Sequence, residues 1–317
     1  MKQRKLLVTS ALPYANGNIH LGHMVEHIQT DIFVRFQRLI GNTCHYMCAD
    51  DAHGTAIMLS AEKEGVKPED YIETIRQDHM ADFAGFNISH DAYYSTHSGE
   101  NKLLSEKVYL SAKRNGAIEE REIEQYFCEE SQLFLSDRYI KGECPKCGAK
   151  DQYGDACEKC YSTYDATQLI NPVSVYSGKT PILKKSLHYF FKLAGFEKKI
   201  KTWLDAGHVH VSVKNKLQEW FDAGLKDWDI SRDAPYFGFQ IPDSDNKFFY
   251  VWLDAPIGYI ATTKFWCDTY KKESFDSIWR NGDFEIHHFI GKDILYFHTL
   301  FWPAMLDVAG FSLPKKV

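Results

Sequence analysis

Residues 6–49 read as one strand–loop–helix–strand unit, and that unit fixes the class of fold. Leu6-Leu7-Val8 is a short apolar run ended by Thr9-Ser10, the pattern of a buried strand. The loop Leu12-Pro13-Tyr14-Ala15-Asn16-Gly17-Asn18 follows, with Pro and Asn-Gly as turn formers. Leu21, Val25, Ile28, Ile32, Phe36 and Leu39 then recur at spacings of three and four, which predicts a helix closed by Gly41. Residues 44–49 read as a second strand running into Asp50-Asp51-Ala52-His53-Gly54-Thr55. Strand, loop, helix and strand in this order begin a doubly wound α/β sheet. Helical patterns over 68–83 and 100–115 extend it.

After Asn115-Gly116 the pattern changes. Residues 118–140 hold alternating, strand-like pieces, and 141–164 are rich in cysteine and glycine but poor in large aliphatics. Helices are expected over 197–205 and 214–224. The α/β pattern resumes after Asp233-Ala234-Pro235. Phe248-Phe249-Tyr250-Val251-Trp252 reads as a buried strand, with a turn at Asp254-Ala255-Pro256. A further strand over 284–289 leads through Gly291-Lys292-Asp293 into a helix over 294–308. The expected architecture is a Rossmann-like doubly wound parallel sheet. Its halves lie in 1–115 and 233–317, and an inserted connective domain over 116–232 interrupts it.

Net charge is 37 − 43 = −6, which excludes a uniformly basic nucleic-acid sleeve but leaves room for a local RNA-binding patch. The N-terminal apolar run is too short for a signal peptide, and no stretch approaches the ~18 apolar residues of a membrane span. A cytoplasmic chain is expected, whose eight cysteines are thiols or metal ligands rather than disulfides.

Cys144-Pro145-Lys146-Cys147 and Cys157-Glu158-Lys159-Cys160 form two C-x2-C knuckles. Each presents two thiolates, and together they complete a closed tetrahedral site for one structural zinc ion. The lobe has too few aliphatic residues for a core of its own, so the metal would stabilise it. Cys44, Cys48, Cys128 and Cys267 have no such partners and read as ordinary buried cysteines.

His20-Leu21-Gly22-His23 sits where the loop hands over to a helix N-terminus. Unpaired N–H groups and the helix dipole favour phosphate there, and Gly22 admits a ligand close to the backbone. The same two histidines suit a solvated helix start. His23-Met24-Val25-Glu26-His27 also matches the inverted zinc-protease pattern H-x-x-E-H, but here that helix opens a nucleotide-type sheet. Asp50-Asp51 falls at the carboxyl end of a strand, where open α/β sheets bind ligands, and could hold an ammonium group or merely cap a helix. The aromatic run from Phe249 to Tyr259 is enough for an apolar pocket, or for plain core. Asp293 suits a ribose hydroxyl pair or an N-cap equally.

Taken together, these strings resemble the class I aminoacyl-tRNA synthetases, specifically the methionyl-tRNA synthetase family of bacterial type with a four-cysteine zinc lobe. Pro13 to Gly17 running into His20-Leu21-Gly22-His23 is similar to that family's "HIGH" region. Cys48 to Thr55, Asp229-Ile230-Ser231-Arg232-Asp233-Ala234-Pro235-Tyr236-Phe237-Gly238, and the Trp252 and Gly291-Lys292-Asp293 segments resemble it in order along the whole chain. The resemblance implies a methionine–tRNA ligase. Such an enzyme makes methionyl-adenylate from L-methionine and ATP, with Mg2+ accompanying the ATP, and passes the methionyl group to tRNA(Met).

Carried over, His20 and His23 would stabilise phosphate charge, and Arg232 would support them. Asp51 would hold the methionine ammonium. Leu12, Tyr14, Trp252, Ala255, Pro256, Tyr259, Ile294 and His298 would form the side-chain pocket, in which Tyr14 and His298 could add a polar check on the sulfur. Asn16, Gly22, Gly291 and Asp293 would meet ATP, Asp293 at the ribose. The family's lysine-rich "KMSKS" loop does not occur up to Val317, nor does an anticodon-binding domain. The chain is therefore expected to be a catalytic core with impaired activation but intact methionine binding, from a protein that could be a homodimer. Sister synthetases for leucine, isoleucine or valine would need a larger insertion, and a cysteine enzyme usually holds its zinc in the active site. A non-catalytic fragment kept for binding is the remaining alternative, favoured only by the absent lysine loop.

Overall fold

Strand β1 (Lys5–Ser10) has an apolar run because both its faces are covered. Leu7 faces one core with Met47 and Ile286, whereas Leu6 and Val8 face another with Met24, Val34 and Phe83. Helix α1 (Leu21–Leu39) returns the chain to β2 (Thr43–Asp50), which runs parallel beside β1. Helices α2 (Thr55–Glu64) and α3 (Pro68–Gly85) lead to β3 (Ala92–Ser95), parallel to β2, and then comes α4 (Gly99–Arg114). The computed structural model describes residues 3–130, 132–135, 139–154, 157–162 and 164–317. Met1 and Lys2, and residues 131, 136–138, 155–156 and 163 of the stretch expected to be inserted, lie outside the described residues.

The middle of the chain leaves the sheet through a long antiparallel ribbon. Strand β4 (Ile118–Cys128) touches the two-residue β5 (Leu133–Phe134) at its far end. A small sheet follows: β6 (Ile140–Glu143) lies between β7 (Gln152–Tyr153) and β8 (Ile170–Ser174). The return strand β9 (Ile182–Phe191) pairs with β4 from Phe127↔Ile182 to Ile118↔Phe191. Helices α5 (Glu197–Asp205) and α6 (Val211–Ala223) come next. Their Ile200, Trp203, Leu204, Leu217 and Phe221 join the same core cluster as Leu7. The chain then forms β10 (Trp228–Asp229), paired to β9, and β11 (Ser231–Asp233).

Strand β12 (Lys247–Phe249), antiparallel to β11, leads into α7 (Val251–Tyr270) and the short α8 (Phe275–Trp279). Strand β13 (Glu285–Phe289) pairs parallel with the other side of β1, giving the order β13-β1-β2-β3, and α9 (Trp302–Ala309) follows. Lys316 bridges in parallel to His287 on the free edge of β13. The parallel sheet and the loop-to-helix start are as the sequence predicts. No helix among the described residues is long and apolar enough to cross a membrane.

Three expectations fail. The strand expected over 248–252 ends at Phe249, and Val251 begins α7, which takes in the expected turn at Asp254-Ala255-Pro256. Residues 253–263 of this helix are buried on every side, so they carry no helical period to read. The helix expected over 294–308 is broken: a 3-10 turn at Lys292–Ile294 is followed by a π-helical stretch at Phe297–Phe301 before α9. Helix α1 forms where its period predicts. Most of its apolar stripe faces outward, with Leu21 83%, Phe36 53% and Leu39 84% exposed, while Ile28 packs against the core of Leu6 and Val8. The buried face carries Met24, His27, Thr30, Asp31, Val34 and Gln37 instead. Polar groups are tolerated there because they are paired: Asp31 accepts from Arg35 Nε and from the Ser89 N–H and hydroxyl, and Gln37 accepts from Asn42 Nδ2.

Burial thus separates Leu7, which is 0% exposed, from Phe36. Leu7→Ala should lower stability by about 2–5 kcal/mol, whereas Phe36→Ser should stay within about 0.5 kcal/mol. Urea unfolding of the two variants checks this, and the reverse order would put the stripe in the core.

Candidate functional site

A cleft of about 990 Å3 opens at the carboxyl ends of β1, β2 and β13. At its floor lies a small chamber of about 30 Å3, lined by Leu12, Asp51, Trp252, Ala255, Pro256, Tyr259, Ile294 and His298. Seven of these were expected at the side-chain pocket and Asp51 at the ammonium, whereas Tyr14, also expected in the pocket, lines the cleft instead. Leu12, Asp51, Trp252 and Ile294 are shared with the cleft, so the two spaces communicate. Tyr14, Asn16, His20, Gly22, His23, Gly291 and Asp293 line the cleft.

His20 is the N-cap of α1. Its Nδ1 accepts from the N–H groups of Gly22 (3.1 Å) and His23 (3.4 Å), and Nδ1 of His23 accepts from the His20 N–H (3.3 Å). This is a capping box made of two imidazoles, with the rings stacked at 3.7 Å. Accepting through Nδ1 puts the proton of a neutral ring on Nε2. Burial, with His20 second, lowers His23 to about 4, so it is neutral near pH 7. A Cβ on Gly22 would lie 2.9 Å from the His20 ring, so only glycine lets the first ring fold back onto the helix start.

The acidic pair divides. Asp50 turns inward, where Oδ1 meets His79 Nδ1 (2.6 Å) and the Tyr93 hydroxyl; His79 Nε2 in turn donates to Gly17 O (2.8 Å). Asp50 therefore ties the loop before α1 to β2. Asp51 turns to the cleft. Its backbone bonds to Pro13 O and Ala15 N hold the two loops together, but its Oδ1 is buried with no hydrogen-bond partner among the described residues. Burial first, then the nearby Asp254, raises its pKa well above the usual carboxylate range. Such a carboxylate is poised to receive a cation. The Tyr14 hydroxyl beside it packs against Gly54, where a Cβ would come within 2.9 Å and φ is +119°.

His298, in the π-helical stretch, donates from Nδ1 to Ile294 O (3.1 Å) and accepts at Nε2 from the Tyr259 hydroxyl (2.9 Å). Burial lowers it to about 4. Trp252 stacks on Phe297 at 3.9 Å and 8°. Asp293 is exposed at the cleft rim.

Arg232 does not line the cleft. Its guanidinium lies 3.8 Å from the centre of the Tyr250 ring, which does, and it faces a separate space of about 180 Å3 with Asp229 and Tyr236. The surrounding string is a clamp: buried His188 of β9 meets Asp229 (2.7 Å) through Nδ1 and Asp233 (2.9 Å) through Nε2.

The sequence reading missed Glu26, His27, Tyr153 and Tyr250 as cleft residues. Glu26 and His27 were visible in the H-x-x-E-H string, although His23 and His27 share no metal-ligand cluster among the described residues. Glu26 accepts from Ala11 N (2.6 Å) and from the Gly291 N–H, joining the ends of β1 and β13, and burial raises it to about 7. Nothing local marks Tyr153.

The four knuckle cysteines gather as expected. Cys144 and Cys160 sulfurs lie 3.8 Å apart, and those of Cys147 and Cys157 lie 3.6 Å apart. A tetrahedron with ~2.3 Å metal–sulfur bonds has edges of about 3.8 Å. The set therefore fits a metal ion without rearrangement.

The tRNA synthetases class I (M) family matches residues 6–317. Two solved structures are similar over 99% of the chain with TM-scores of 0.74. One is Mycobacterium tuberculosis methionyl-tRNA synthetase in complex with methionyl-adenylate (24% identity); the other is the same enzyme bound by methionyl-adenylate (25% identity). The chain spans 56% of the length of each.

Because the folded value of His298 lies below 6.5, its stabilising contribution is present above that pH and is lost as pH falls towards 4. His298→Gln should reduce the slope of unfolding free energy between these pH values by up to about 1.4 kcal/mol per unit. Urea titrations across that range check it, and an unchanged slope would mean that His298 is protonated in the fold.

Proposed function

The chain belongs to the class I tRNA synthetases of the methionine (M) type, and from that premise we propose that it is the catalytic core of a methionine–tRNA ligase. The observation that carries the reading is Asp51, a buried carboxylate oxygen without a hydrogen-bond partner among the described residues, at the mouth of an apolar chamber. It suits the ammonium of L-methionine, with the thioether chain in the chamber and the carboxylate directed into the cleft.

In the cleft that carboxylate attacks the α-phosphorus of ATP. A carboxylate oxygen–phosphorus bond forms, the bond to the bridging oxygen breaks, and pyrophosphate leaves. His20 and His23 stand at the helix start as Nε2–H donors, where the dipole already favours phosphate, and hold the charge that develops on it. The exposed carboxylate of Asp293 accepts from the ribose hydroxyls, with Gly291 kept in place by Glu26. Asn16 and Gly22 border the same space. Arg232 acts at one remove, through Tyr250. Mg2+ accompanies the triphosphate as part of the substrate, and tRNA(Met) takes the methionyl group in the second step.

The chamber is small for a methionine side chain. Trp252, stacked on Phe297 at its mouth, must turn aside to admit it. Binding should therefore change tryptophan fluorescence. Titration with L-methionine should saturate, leucine and cysteine should give no response, and norleucine should bind more weakly if a polar group reads the sulfur. Asp51→Asn should weaken methionine by about 2–3 kcal/mol, roughly 30- to 150-fold, because the ammonium loses its charged partner. Equal affinity in the variant would displace Asp51 from this role.

The four-cysteine site would hold one structural zinc ion, supported by its sulfur spacing. Tyr153 of the same lobe lines the cleft, and Leu59 of α2 packs against the lobe core. Removing zinc with a chelator should loosen the lobe and weaken ATP more than methionine. Separate binding titrations of the two ligands before and after chelation measure this.

A further inference from the structure

Behind the wall of the cleft, three donors meet that have no part in the chemistry above. His27 comes from α1, Cys48 from β2, and His90 from the loop entering β3. One ring nitrogen of each histidine and the Cys48 sulfur all lie within 4.8 Å of one another. His27 and Cys48 are buried. Nε2 of His90 is also buried and has no hydrogen-bond partner among the described residues, which is a cost the fold must explain. The rings are held by their neighbours: His27 stacks on Phe83 at 4.2 Å, and His90 lies against Tyr46 at 4.4 Å and Tyr93 at 5.3 Å. Ser10 Oγ stands 3.3 Å from His27 Nδ1 and 3.4 Å from Cys48 Sγ, and so orients both. Outer partners of this kind fix the direction of metal ligands.

We propose that His27, Cys48 and His90 form a second metal site, distinct from the four-cysteine centre, and that its ion is Cu+. Two observations select the ion. The cluster offers two imidazoles and one thiol, a trigonal set that copper accepts as it stands and that zinc would have to complete with a water. Among the described residues the cluster also holds no carboxylate. Cu+ replaces the thiol proton, which passes to solvent, so the filled site is neutral. Zn2+ on one thiolate would leave a net positive charge in the interior, at a substantial desolvation cost. His27 also lines the cleft, which gives the ion a way in. The bound ion would sit one helical turn beyond His23 and join α1 to the strand that carries Asp50.

The test uses the whole chain with zinc already loaded. Cu+ is added without oxygen in competition with bathocuproine disulfonate, and zinc release is followed in the same sample. One further equivalent of copper should bind with zinc retained, accompanied by a thiolate-to-copper band in the near ultraviolet. His90→Phe preserves the ring and its packing, and Cys48→Ser removes the thiol. Each should weaken copper by more than the ~10–100-fold that loss of an outer partner costs, with unchanged circular dichroism and unchanged zinc content. Copper taken up only as zinc leaves, or uptake that survives both substitutions, overturns the site. A second equivalent of zinc that depends on His90, without copper uptake, overturns the choice of ion.

Discussion

Strand β1 has β2 on one side and β13 on the other, both parallel to it, so the chain leaves the sheet in opposite directions from its centre. The loops after β1 and β13 must part there, and the crevice between them falls at the N-terminus of α1. A place suited to an anionic group is thereby set by topology before any side chain is chosen. What the side chains add is attachment. Glu26 draws the β1 and β13 loops together, Asp51 does so for the β1 and β2 loops, and Asp50 reaches Gly17 through His79.

Burial sets the charge state of this region as much as its shape. His23 and His298 are both held near 4, so neither carries charge at neutral pH. Asp51 and Asp254 are both raised by burial, and Asp254 further disfavours ionisation of Asp51. A positively charged group arriving at Asp51 therefore does more than form one contact. It relieves the desolvation of a carboxylate whose Oδ1 has no hydrogen-bond partner among the described residues.

Much of this was legible in the chain. Spacing alone located the metal knuckles, because four sulfurs on two tight turns have few other uses. The parallel sheet followed from apolar runs separated by helical periods, and the chamber residues followed from the resemblance. The remainder was hidden for physical reasons. Residues 253–263 are buried all round, so their helix has no polar face to give it a period. In α1 the period was present but marked the exposed side, since the buried polar groups there are paired, Asp31 with Arg35 and the distant Ser89 and Gln37 with Asn42. Asp50 and Asp51 are adjacent letters with opposite destinations, because successive residues at a strand end point to opposite faces. Tyr153 reaches the cleft only because an entire lobe folds back, which no local pattern encodes.

The ribbon of β4 and β9 has one further consequence. Ile118 stands opposite Phe191, so the excursion departs and returns at the same place, and the Ala117 carbonyl accepts from the Lys192 N–H at its base. Everything beyond that rung can be lengthened, trimmed or exchanged while the parallel sheet keeps its threading. A lineage built on this scaffold can thus try out new lobes over the same cleft, each graft constrained to begin and end as neighbouring strands and to keep the His188 contacts with Asp229 and Asp233.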